Sequence, residues 1–88
     1  MDFSFEGEGV LKEKRELKKK DGSSIWRRLF KVAYIGGMIE CVVDEKQFPS
    51  HNEGDSVKVV GTFEPGFDGT AMLVARSIVT TKPARKAA

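Results

Sequence analysis

Lys18, Lys19 and Lys20 stand together directly before Asp21-Gly22-Ser23, a run of turn-forming residues. Taken alone, a lysine triplet in a turn is a solvated loop. Its neighbours give it more meaning. Residues 12–31 contain nine basic side chains (Lys12, Lys14, Arg15, Lys18, Lys19, Lys20, Arg27, Arg28 and Lys31) against three acids (Glu13, Glu16 and Asp21). A polyanion with a regular charge repeat needs cations spread over a surface, and two adjoining strands supply that spacing. The net charge of +2 conceals this polarity. Residues 44–68 hold six acids against two lysines, and the C-terminus adds Lys82, Arg85 and Lys86.

Trp26, Phe30 and Tyr34 recur at even spacing in the segment Ile25–Ile35, with Arg28 between them. An alternating strand puts them on one face. That face either packs the core or turns outward. The opposite face carries Ile25, Leu29, Ala33 and Ile35, which are small enough for a tight interior. We take the outward placement as the expectation, since outward aromatics stack nucleobases at about 1–3 kcal/mol each; a one-residue bulge would reverse it. Phe67, in the glycine-flanked turn Gly66-Phe67-Asp68-Gly69, either folds back over the barrel end or stacks on a base or neighbouring protein, and the second is our expectation. Lys14, Arg15 and Arg76 complete the expected binding set.

Other chemistry lacks its parts. The single cysteine, Cys41, and single histidine, His51, exclude a disulfide framework and a Cys/His zinc site within the chain. Cys41 is expected to be buried, and His51, between Ser50 and Asn52, to be solvated. Gly7-Glu8-Gly9 lacks the third glycine and following helix of a phosphate cradle. No nucleophile has an adjacent base, so the expectation is a binding protein, not an enzyme, with no metal or cofactor.

Length and hydropathy define what must position these residues. At 88 residues the chain holds one domain. Hydrophobic content of 40% is enough to fold it. Apolar runs such as Val32–Ile35 and Ala71–Ala75 are too short to span a bilayer. The N-terminus lacks a secretory pattern, and the lone cysteine fits a reducing compartment, so the cytoplasm is expected.

Five strand-like runs are legible. The first bends at Gly7 and Gly9 and ends in the basic loop. The second is Ile25–Ile35 and the third Met38–Val43, with Ile39, Cys41 and Val43 inward and Gly36-Gly37 as the turn between them. The fourth, Ser56–Phe63, puts Val57, Val59, Gly61 and Phe63 on one face. The fifth, Ala71–Thr81, carries a bulge near Arg76-Ser77. Between the third and fourth strands there is room for one helical turn, where Phe48 plugs the barrel bottom. Five strands with short turns predict an all-β barrel over residues 1–81, followed by a basic tail over 82–88.

Two segments, Gly54-Asp55-Ser56-Val57-Lys58-Val59-Val60-Gly61 and Met72-Leu73-Val74-Ala75-Arg76-Ser77-Ile78, resemble the second half of nucleic-acid-binding OB-fold domains. The whole chain is similar to the single-stranded-DNA-binding proteins of filamentous phages. The shared features are the lysine run before Asp21-Gly22, the aromatic second strand, the Gly66–Gly69 hairpin tip and a basic tail after Pro83. The resemblance implies a small five-stranded OB-fold barrel that coats single strands as a homodimer, and the polymer expected is DNA rather than RNA. The competing reading is a protein-interaction barrel, a subunit or assembly factor. Its aromatic face would then bury against protein and its acidic segment would form a second contact.

Overall fold

The computed structural model describes residues 3–66 and 69–84. The elements are β1 (Ser4–Lys18), β2 (Ile25–Tyr34), β3 (Gly37–Val43), a single turn of helix α1 (Gln47–Ser50), β4 (Ser56–Pro65) and β5 (Ala71–Lys82). The strands close into a barrel in the order β1-β2-β3-β5-β4. This is the five-stranded Greek-key barrel of the OB-fold, as expected from the sequence.

Closure depends on β1 serving two neighbours. Its residues 4–10 pair with β4 and its residues 10–18 with β2. The strand bends where these ladders meet. A Cβ on Gly9 would lie 2.2 Å from the Ala33 carbonyl oxygen, so only glycine lets the backbones approach. Gly61 has the same role against Val74.

The core is small: Leu11, Phe30, Val32, Cys41, Val43, Val57, Val59 and Ala75. β3 turns its expected face inward, with Cys41 and Val43 buried; on β4 the face that carries Val57 and Val59 is buried, while Phe63, further along that face, is exposed. β2 does not turn its expected face inward. Phe30 and Val32 point into the barrel, whereas Ile35 is fully exposed and Leu29 and Ala33 lie on the outer face. The register explains the reversal. Phe30 pairs with Cys41, and Val32 with Leu11 and Ile39, so the even residues of β2 meet the inward residues on both flanking strands. The turn also falls one residue earlier than expected, at Ile35-Gly36, because Tyr34 pairs with Gly37.

The α1 turn closes one end. Asp44 Oδ1 accepts the Lys46 and Gln47 amides at 2.9 and 2.7 Å, and Gln47 Oε1 accepts the Asp44 amide in return. This clamp presents Phe48 to Phe30, with ring centroids 5.7 Å apart, so Phe48 plugs that end as expected. His51 is buried, contrary to expectation. Its Nδ1 lies 2.7 Å from Thr80 Oγ1 and its ring meets Phe30 edge-on. Beside it, Asp55 accepts the amides of Asn52 and Ala84, tying the loop before β4 to the chain beyond β5. Those two bonds hold the Asp55 carboxyl below its ordinary value. Burial pushes the Cys41 thiol up to about 11.

Candidate nucleic-acid interface

β3 ends at Val43, opposite Arg28 of β2. Residues 25–27 of β2 therefore have only β1 as a neighbour, and the two strands run on past the barrel as a ribbon. Its tip is tight: the Lys19 amide donates to the Ser24 carbonyl and the Gly22 amide to the Lys19 carbonyl. Gly22 takes a positive φ of 72°, which suits glycine. Asp21 accepts both the hydroxyl and the amide of Ser23, and the hydroxyl is the main reason its carboxyl is held below its usual value. Asp21 is thus committed to shaping the turn. Lys18, Lys19 and Lys20 are exposed and make no ion pair among the described residues.

Trp26 lies on this ribbon, 46% exposed, with the Arg27 guanidinium 4.3 Å from its ring centroid. A planar cation stacked on an indole presents two flat surfaces suited to a nucleobase. The outer wall of the barrel continues from this point. Arg15 on β1 lies beside Leu29 on β2 and Val42 on β3, and Lys31 lies between Glu13 and Glu40. Arg15 Nη1 donates to Glu40 Oε2 at 3.0 Å, and Lys31 reaches Glu13 at 4.0 Å. The wall is therefore a mixed-charge surface, and the excess of unpaired cations lies on the ribbon.

The structure brings Lys18, Lys19, Lys20 and Trp26 together on the ribbon and sets Arg15 on the adjoining wall. The other expected residues are differently placed. Phe30 is fully buried and cannot stack on a base; the same reversal of β2 that fills the core accounts for this. Tyr34 is half exposed at the far end of β2, about 26 Å from Trp26 at ~3.3 Å per residue. Lys14 shares the register of Phe30 and holds its ammonium 4.6 Å from the Phe48 ring centre. Arg28 also shares that register and faces Glu16 at 3.7 Å. Arg76 is the extra residue of the β5 bulge, and its guanidinium binds Glu64. Phe67 lies outside the described residues. Arg27, over the Trp26 ring, and Lys31, on the adjoining wall, share this surface, and the sequence marks them only as part of the basic stretch. Their odd positions on β2 were the available signal.

No protein-family model matches the sequence, and no curated protein does. Solved structures do match. The mitochondrial single-stranded DNA binding protein Rim1 of Saccharomyces cerevisiae superposes with a TM-score of 0.75 at 15% identity, over 97% of this chain and 99% of that one. The second single-stranded DNA binding protein (SSBb) of Mycobacterium smegmatis gives 0.55 at 18% identity, covering 92% and 90% of the two chains. At these identities the likeness is one of fold. The chain is an OB-fold barrel of the size and topology found in both proteins.

Proposed function

We propose that this protein binds single-stranded nucleic acid, DNA in preference to RNA, with little sequence preference and without catalysis. The observation that carries the reading is the β1–β2 ribbon, where three exposed lysines adjoin Trp26 with the Arg27 guanidinium over its ring. The lysines meet phosphates, and Trp26 and Arg27 offer planes to bases. None of these groups reads a base edge, so binding is sequence-tolerant. The two OB-fold neighbours named for single-stranded DNA binding support DNA as the polymer. Among the described residues no helix is long and apolar enough to cross a membrane. The free, buried Cys41 fits a reducing compartment such as the cytoplasm.

The reading includes a homodimer. Val60 and Val79 are exposed on the outer face of β4 and β5, away from the ribbon, and are the surface we assign to it. Sedimentation at micromolar concentration reads this directly, and a 9.8 kDa species throughout would refute it.

The binding test is quenching of the sole tryptophan by oligo(dT) at two salt concentrations. Saturable quenching that weakens steeply with salt is expected. Absence of quenching at low salt would refute the proposal.

A further inference from the structure

A bulge in β1 decides which charges face out of the β1–β2–β3 wall. Leu11 pairs with Val32 and points into the core. Continued from there without a break, the register would set Lys12 opposite Lys31 and Lys14 opposite Leu29, both on the outer wall. The register shifts between Leu11 and Glu13 instead, and Lys12 is the extra residue. A bulge re-aims the side chains that follow it. Glu13 now stands opposite Lys31, Arg15 stands opposite Leu29, and Lys14 turns to the Phe48 ring. On the other flank, Glu40 of β3 also stands opposite Lys31.

These four side chains form one network. Arg15 donates to Glu40 at 3.0 Å and its Nε lies 3.9 Å from Glu13, while the Lys31 ammonium lies 4.0 Å from the other Glu13 oxygen. Two cations and two carboxylates leave the middle of the wall with no net charge. None of the four is buried, so a strand crossing the wall would meet all of them. A carboxylate competes with a phosphate for the same N–H donors. Lys18, Lys19 and Lys20 on the ribbon have no such competitor among the described residues.

We propose that Glu13 and Glu40 set the length of the binding surface. They hold Arg15 and Lys31 back from phosphates, so a single strand engages the ribbon and ends at the wall. The β1 bulge puts Glu13 in place for this. The inference rests on the ribbon reading and adds to it where the track stops and which residues stop it.

The test follows oligo(dT) affinity against salt and against oligonucleotide length. It compares the native chain with Glu13→Gln/Glu40→Gln. Glutamine keeps the shape of the side chain, and both positions lie outside the core. The variant should bind several-fold more tightly at low salt. Its slope of log affinity against log salt should be steeper by about 1.4, at ~0.7 for each cation released. Its affinity should also keep rising to a longer oligonucleotide than for the native chain. Adding Arg15→Ala and Lys31→Ala restores the native net charge and should restore the native slope. Glu6→Gln/Glu8→Gln is the control: it removes the same charge and frees Lys58, but on the β4 side of β1, and should leave the slope unchanged.

Native binding with an unchanged slope in Glu13→Gln/Glu40→Gln overturns the proposal and leaves the ribbon reading standing. So does an equal gain in the control, or a gain that survives Arg15→Ala/Lys31→Ala, since either would be a general effect of lost negative charge. Absence of binding by both the native chain and Glu13→Gln/Glu40→Gln overturns the two readings together.

Discussion

The two halves of β1 behave as different strands. Residues 12–18 carry Lys12, Lys14, Arg15 and Lys18, pair with β2, and extend past the barrel as the ribbon. Residues 4–9 carry Glu6 and Glu8, pair with β4, and leave the other edge open beside an apolar slot. The bend at Gly9 divides them. One continuous strand thus presents a cationic arm at one end of the barrel and an acidic, hydrogen-bonding edge near the other. A small domain can keep two surfaces of opposite character apart without a second core.

The largest expected effect comes from removing what both halves lean on. Phe30 is fully buried at the centre of the barrel, against Phe48 and His51. Phe30→Ala should cost about 3–5 kcal/mol of stability in denaturant titration. An unchanged midpoint would put Phe30 back on the surface, where the sequence reading had it.

A more local change distinguishes the ribbon. Trp26→Ala should cost roughly 1–3 kcal/mol of oligonucleotide affinity per lost stacked base, with the salt dependence nearly unchanged. Tyr34→Ala, at the slot end of β2, should leave that affinity intact. Equal losses from both variants would erase the distinction between the two ends.

Acid titration probes the junction before β4, away from both halves of β1. The Asp55 carboxyl is held below its ordinary value near 3.8 by the Asn52 and Ala84 amides. A depressed native value means the contribution is fully present above about pH 4 and is lost as pH falls through the lower, native value. Asp55→Asn should therefore lower stability at neutral pH and flatten the acid limb of a thermal-melt series below pH 4. A parallel acid limb in the variant would show that Asp55 is not the linked group. The smallest effect is kinetic. Cys41, pushed up to about 11 and buried, should resist a disulfide reagent at neutral pH until the chain unfolds.

The parts legible in the sequence are those with one apolar parity. β3 and β4 alternate cleanly: the sequence puts Cys41 and Val43 inward and groups Val57 with Val59 on one face, and all four are buried. β2 has apolar residues at both parities, with Arg27, Arg28 and Lys31 interrupting both. Only the cross-strand partners Leu11 and Cys41 decide which set fills the barrel. The error at Phe30 follows from that ambiguity. His51 looked solvated between Ser50 and Asn52, but its partner Thr80 is 29 residues away on β5. The open edge of β1 was invisible for the same reason: it depends on where β2 stops, which is set by pairing rather than by local sequence. The lysine ribbon was legible, because its turn residues and charges are contiguous.

The central claim is that Lys18, Lys19 and Lys20 meet phosphates. It is tested most directly by the salt dependence of oligo(dT) binding to the native chain and to Lys18→Ala/Lys19→Ala/Lys20→Ala. If all three lysines contact the strand, the slope of log affinity against log salt should become shallower by about 2, at ~0.7 per lost contact. A variant that binds with the native slope would contradict the account.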